Sequence, residues 1–259
     1  MKTRSACLLS GLCLLLGGFS ASQAGQIDAS NGSNFSSAGT YTSESGTVSH
    51  SASGSYQDGM DVTFLSPSQE VRNYTIFDLS SAVFDSMTES VISATLRLFG
   101  PAGSYMSPDA SETLQIAQVT TSISDLAGGT GTLSNTFTDL GDIAYGTAAV
   151  TGDGWVDILL NSTALTDIAA ALGSGSIAFG SSVTTLTVAG NADELIFVGS
   201  ASSSDPRAGE AFTNRPQLTI VTEQNSTTPP GTVPAPGALL LLSFGLFGLG
   251  IVKRRQRIV

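Results

Sequence analysis

Cysteine is nearly absent from this chain of 259 residues: there are two, Cys7 and Cys13, both close to the start. A chain cut after Ala24 would keep neither, so it would have no disulfide, no thiolate metal site and no cysteine nucleophile. Lysine is missing between Lys2 and Lys253. Histidine occurs once, as His50, which leaves a Ser-His-Asp triad a single candidate base. No Gly-x-Ser-x-Gly elbow, His-Glu-x-x-His pair or glycine-rich phosphate loop is present. His50 lies in a Ser-rich stretch and is read as an exposed loop or strand residue rather than a base. The chain is therefore expected not to be an enzyme.

Positive charge is scarce everywhere except at the two ends. Six of the ten basic residues are Lys2, Arg4, Lys253, Arg254, Arg255 and Arg257. All 21 acidic residues fall between Asp28 and Glu223, where only Arg72, Arg97, Arg207 and Arg215 oppose them. That surplus of negative charge repels nucleic acid and excludes it as a partner. With 41% hydrophobic and 12% charged residues, the middle can still build a core.

The two ends read as addresses. Lys2 and Arg4 precede an apolar stretch from Ala6 to Phe19, and Ser22-Gln23-Ala24 offers small residues for a signal peptidase. Residues 1–24 are thus a secretory signal peptide cleaved after Ala24 and handled by the secretion machinery. Neither cysteine is preceded by the Leu-rich box that lipoprotein processing requires. Near the other end, residues 222–232 form a polar linker with paired prolines that ends the domain. Val233-Pro234-Ala235-Pro236 follows, then an uncharged run from Gly237 to Val252, then the basic cluster Lys253, Arg254, Arg255 and Arg257. The basic cluster places this end in the cytoplasm, while the signal peptide places the middle outside. As a helix, 237–252 would span roughly 24 Å, short of a hydrocarbon core of about 30 Å. A short membrane anchor and a segment held briefly before cleavage both fit that length.

The order of motif, apolar run and arginines resembles the PEP-CTERM sorting signal, with Ala235 standing where that family has Glu. An LPxTG-type signal is a poorer fit, because the Thr-Gly pair is missing. The resemblance implies an exosortase-type processing enzyme as partner, at least transient membrane contact, and a destination in the cell envelope, on the outer surface or in the extracellular matrix.

Residues 25–221 read as one all-β domain. Val71 to Leu79 and Val91 to Phe99 alternate, the second with Ile92, Ala94, Leu96 and Leu98 on one face. Shorter apolar runs follow at 113–119, 154–160, 176–180, 194–199 and 217–221, while 26–57 promises a strand or two with loose loops. Few helix-length spacers separate them, so an antiparallel β-sandwich is predicted. One short helix is expected after Asn161 or Ser162, with Leu165, Ile168, Ala169 and Leu172 on its inner face and Gly173 ending it. A helical turn is allowed at Ser122 to Leu126, and the run 237–252 adds a C-terminal hydrophobic helix. The segments 72–81, 91–98 and 215–220 are similar to DNRLRE-type modules, which implies a jelly-roll sandwich and, for some members, polysaccharide binding.

The carboxylates offer candidates without a motif. Asp109 with Glu112, Asp139 with Asp142, and Asp153 with Asp157 could serve a structural calcium ion, although turn-capping is the favoured reading. Otherwise no cofactor is expected. Trp155 and the tyrosines at 41, 56, 74, 105 and 145 could stack on sugars, yet Trp155 is read as partly buried core. Two functions result: a non-enzymatic envelope or matrix protein associated with exopolysaccharide, or a polysaccharide hydrolase or lyase using two carboxylates. Mass spectrometry of the protein from its native host should find a mature chain beginning at Gly25 and ending near Val233 to Pro236. Mature material retaining 237–259 refutes processing.

Overall fold

A computed structural model describes residues 24–28, 35–52, 55–61, 69–187, 192–201 and 214–225. Most of the signal peptide and the whole stretch 226–259, with the sorting motif, apolar run and basic cluster, lie outside the described residues. Among those described, no helix is long and apolar enough to cross a membrane.

Twelve antiparallel strands and three helices are described. The strands are β1 (Ala24–Asp28), β2 (Phe35–Glu44), β3 (Thr47–Ser51), β4 (Ser55–Asp61), β5 (Gln69–Asp78), β6 (Glu89–Gly100), β7 (Glu112–Gln118), β8 (Ala144–Val150), β9 (Gly154–Leu159), β10 (Ser176–Val183), β11 (Glu194–Ala201) and β12 (Gln217–Gln224). The helices α1 (Ile123–Gly128) and α2 (Leu133–Asp139) lie between β7 and β8, and α3 (Ser162–Ala171) follows β9. One sheet has the order β1-β12-β6-β9. In the other, β2 lines one edge of β5 from Gln69 to Phe77 and carries β3 outside it. The far edge of β5 is divided, Asn73 to Asp78 pairing with β10 and Gln69 to Val71 with β4. Beyond β10 come β7 and β8, and beyond β4 comes β11. Leu96, Leu98, Ile158, Leu218 and Ile220 of the first sheet share one apolar core with Phe77, Leu114, Ile116 and Phe179 of the second. Alternation delivers one apolar face of the outer strands to that core, whereas β5 and β10 are buried on both faces, Tyr74, Ile76 and Ala178 packing on the other side with Leu126, Phe137 and Leu140.

The expected helix forms: Asn161 accepts from the Ala164 amide as its cap, and Gly173 follows at φ +70°. Ala164, Ile168 and Leu172 face the core. Ser122 likewise caps α1 through the Asp125 amide. Helix α2 was not expected from its Ser, Thr and Asn content. It is held by burial of Thr136, Phe137 and Leu140 and by Arg72, whose Nη1 donates to the Phe137 and Thr138 carbonyls at its C-terminal end. The Arg72 guanidinium also lies 4.4 Å from the centre of the Phe137 ring.

Three further expectations change. The N-terminal stretch holds four strands rather than one or two. In β6 a bulge opposite Val221 and Thr222 skips Ile92, so Val91 packs toward the core and Ile92 turns out, 46% exposed. Strand β12 runs past Val221 to Gln224, with Thr222 buried.

The divided edge of β5 is closed by a carboxylate. Asp58, fully buried in β4, accepts from the Asn73 amide at 3.0 Å, from the Asn73 side chain and from Ser181 Oγ of β10 at 2.7 Å. It thereby joins three strands where no continuous ladder can run. The next residue, Gly59, has φ +125°, and a Cβ there would come within 1.9 Å of the Glu194 carbonyl, so only glycine lets β11 approach. Burial pushes the Asp58 carboxyl from 3.8 up to about 7, against the pull of Ser181, Asn73 and Arg72. Its folded value exceeds its unfolded one, so the penalty of ionising it is absent below 3.8 and grows as pH rises to about 7. In thermal melts, the midpoint of the natural protein should therefore fall relative to that of Asp58→Asn across this window. A constant difference between the two midpoints would show that Asp58 is ionised throughout.

Candidate functional site

Because β6, β9 and β12 turn Leu96, Leu98, Ile158, Leu218 and Ile220 inward, their alternate residues form the outer face of the four-stranded sheet. The register sets Phe99 opposite Trp155, Arg97 opposite Asp157, and Thr95 opposite Leu159, with Gln217 and Thr219 on the other side of Arg97 and Thr95. The Phe99 and Trp155 rings lie 5.0 Å apart, tilted by 54°. The Arg97 guanidinium is 4.9 Å from the centre of the Trp155 ring. Arg97 Nε approaches Asp157 Oδ1 to 2.7 Å as an ion pair, without the alignment of a hydrogen bond. Both side chains are about half in solvent, so the pair contributes about 0–1 kcal/mol and serves mainly to orient the guanidinium.

Trp155 is half-buried, as the sequence led us to expect, but it belongs to the outer face and not to the core. The reason is phase: Val156 and Ile158 take the inward positions of β9. A half-exposed indole beside a phenyl ring, with a guanidinium, a carboxylate and an amide within one register step, can stack on an apolar sugar face and bond its hydroxyls. The neighbouring loop is fixed by Asp153, which accepts from the amides of Gly103, Ser104 and Tyr105 at 2.7, 2.9 and 3.0 Å. Those donors, that of Gly103 first, hold its carboxyl below the usual range.

The other candidates are dispersed. Asp153 and Asp157 do not converge, since one serves this loop and the other Arg97. Asp139 accepts from the amides and hydroxyls of Thr120 and Thr121, each at 2.8 Å, while Asp142 is exposed. Glu112 is buried and takes the hydroxyls of Ser107 and Thr185, each at 2.5 Å, whereas Asp109 is exposed and offers its backbone carbonyl to Tyr105. Among the described residues, no group of three His, Cys, Asp or Glu side chains could hold a metal ion.

His50 is not exposed, contrary to expectation. It lies in β3 between Tyr41 and Tyr74, its Nε2 3.3 Å from the Tyr74 hydroxyl, and burial lowers its pKa. Gly129, at φ +59°, lets α1 close over the ring, because a Cβ there would meet His50 Nδ1 at 2.2 Å. Tyr41, Tyr74 and Tyr145 are buried, and burial pushes the first two hydroxyls up to about 12. Tyr105 is half-buried, and the Tyr56 side chain lies outside what is described.

Two clefts flank α3. One, of roughly 420 Å³, is lined by residues that include Phe84, Glu89, Val91 and Leu165; the other, of roughly 360 Å³, includes Gln118, Tyr145 and Asp167. In the second, Tyr145 and Gln118 both donate to Asp167 Oδ2. Each cleft presents a single carboxylate, whereas glycoside hydrolysis of the usual kind needs two. No known protein family and no curated protein matches this chain, so the resemblances drawn from its sequence rest on their own motifs.

Proposed function

We propose that this chain is an exported, non-enzymatic protein of the cell envelope or extracellular matrix, and that the outer face around Trp155 holds exopolysaccharide. The observation that carries the binding role is the outward pair of Trp155 and Phe99 flanked by Arg97 and Asp157. The wider setting rests on sequence: the signal peptide ending at Ala24, the motif Val233 to Pro236, the apolar run 237–252 and the basic cluster after it. In this reading the domain is a jelly-roll sandwich, the apolar run forms a C-terminal hydrophobic helix, and an exosortase-type enzyme processes the tail.

The hydrolase or lyase reading finds less support, because the carboxylates of Asp139, Asp153, Glu112 and Asp58 are occupied with amides and hydroxyls. Incubating the protein with the host's own exopolysaccharide separates the two. Retention is expected without new reducing or unsaturated ends, together with a change in the fluorescence of Trp155, the single tryptophan. Trp155→Ala should weaken retention about tenfold, equivalent to roughly 1.4 kcal/mol of lost stacking. Shortened polysaccharide chains would overturn the non-enzymatic reading, and undiminished retention by the variant would remove this face from the binding role.

A further inference from the structure

The loop between β5 and β6 carries two apolar side chains in open solvent, Val83 at 94% and Met87 at 86% exposure. Its geometry is built, not loose: Asp85 accepts from the Met87 amide at 3.0 Å and from the Thr88 hydroxyl at 2.9 Å, closing a turn that holds Met87 outward. Next to it, the bulge in β6 turns out Ile92, and the cleft lined by Phe84, Val91 and Leu165 opens between this loop and α3. Apolar groups so exposed, and gathered at one end of a domain, mark an interaction surface.

Register shows which end this is. Glu89, at the start of β6, pairs with Gln224, and Ala24 pairs with Glu223. The backbone therefore enters the domain and leaves it beside the Val83–Met87 loop. Both apolar segments of the sequence, the one before Ala24 and the run 237–252, attach here, the latter through residues 225–236, a tether of at most about 40 Å. We propose that this end of the domain docks on a lipid bilayer surface, with Val83 and Met87 entering the interface while the chain is still tethered. The proposal rests on reading 237–252 as a membrane segment. Asp85 and Glu89 at the same end select an uncharged or zwitterionic lipid surface over an anionic one.

The test uses the full chain in phosphatidylcholine vesicles containing brominated lipid. In a Trp155→Phe background, so that one tryptophan reports at a time, Met87→Trp reports the proposed surface, and Met106→Trp reports the opposite end of β6, where Met106 is 42% exposed. Brominated lipid should quench the tryptophan at 87, with a blue-shifted emission, and leave that at 106 unquenched. Replacing part of the phosphatidylcholine with phosphatidylglycerol should reduce the quenching. Vesicle-bound chain with no quenching at 87, equal quenching at both positions, or quenching that rises with phosphatidylglycerol would each overturn the docking surface and leave the membrane segment standing. A chain that does not sediment with vesicles would overturn the membrane segment, and the docking surface with it.

Discussion

Carboxylates buried without cations are the constraint from which much of this architecture follows. Between its ends the chain has four arginines against 21 acidic residues, yet Asp58, Glu112 and Glu194 are all inside. An unpaired buried charge is costly, and with so few cations the compensation comes mainly from neutral donors, Arg72 adding only a weaker pull at Asp58. Asp58 takes an asparagine side chain, a backbone amide and a serine; Glu112 takes a serine and a threonine; Glu194 takes the amide and hydroxyl of Thr187. The abundance of Ser and Thr in the strands and loops thus has a structural use beyond solubility. The Asp58 and Glu112 clusters also tie together segments far apart in sequence, and at Asp58 the cluster joins β4, β5 and β10 where the edge of β5 divides.

The same scarcity explains how the described arginines are used. Arg72 leaves β5 to satisfy the C-terminal carbonyls of α2 and to cover Phe137, while its Nε bonds Glu70 at 2.8 Å. One cation thereby fixes a helix whose own sequence has little tendency to form it. Arg97 is spent on the outer face, against Trp155 and Asp157, where the core gains nothing from it. A guanidinium placed there lies over the indole and pairs with Asp157 across the strands, orienting both at the surface.

What could be read from the sequence divides along physical lines. Strands β5, β6, β7, β9, β10, β11 and β12 announce themselves as apolar runs bounded by turn residues, alternating where only one face is covered, and α3 because Asn161 and Gly173 bracket an apolar stripe. The N-terminal strands were blurred by small residues, which pair well but carry no period. Strand β8 was missed for a related reason: its Tyr145 and Val150 are buried, but Gly146 between them must stay bare, since a Cβ would meet the Leu159 carbonyl at 2.5 Å. The bulge that exposes Ile92 depends on the pairing with β12, which no local pattern encodes. The phase of Trp155 could have been found, because Val156 and Ile158 claim the inward positions of β9 and leave 155 and 157 outside. Asp58 carried no such signal; its role appears only when two distant strands meet on one edge.

The two proposed surfaces are related by the direction of a single strand. Strand β6 begins at Glu89, beside the chain's entry and exit, and reaches Phe99 opposite Trp155 ten residues later, a rise of roughly 33 Å along the strand. A domain docked through Val83 and Met87 would thus carry its aromatic pair near the far end of that strand, on the outer face of the sheet. The reverse placement would press a bulky polysaccharide against the membrane and set the two interactions in competition. On the two proposals together, the tether and the glycan would not compete for one surface. The bulge at Ile92 changes only the start of β6: beyond Ser93 plain alternation keeps Thr95, Arg97 and Phe99 on the outer face, while before it Val91 packs toward the core and Ile92 is turned out beside the chain's entry and exit.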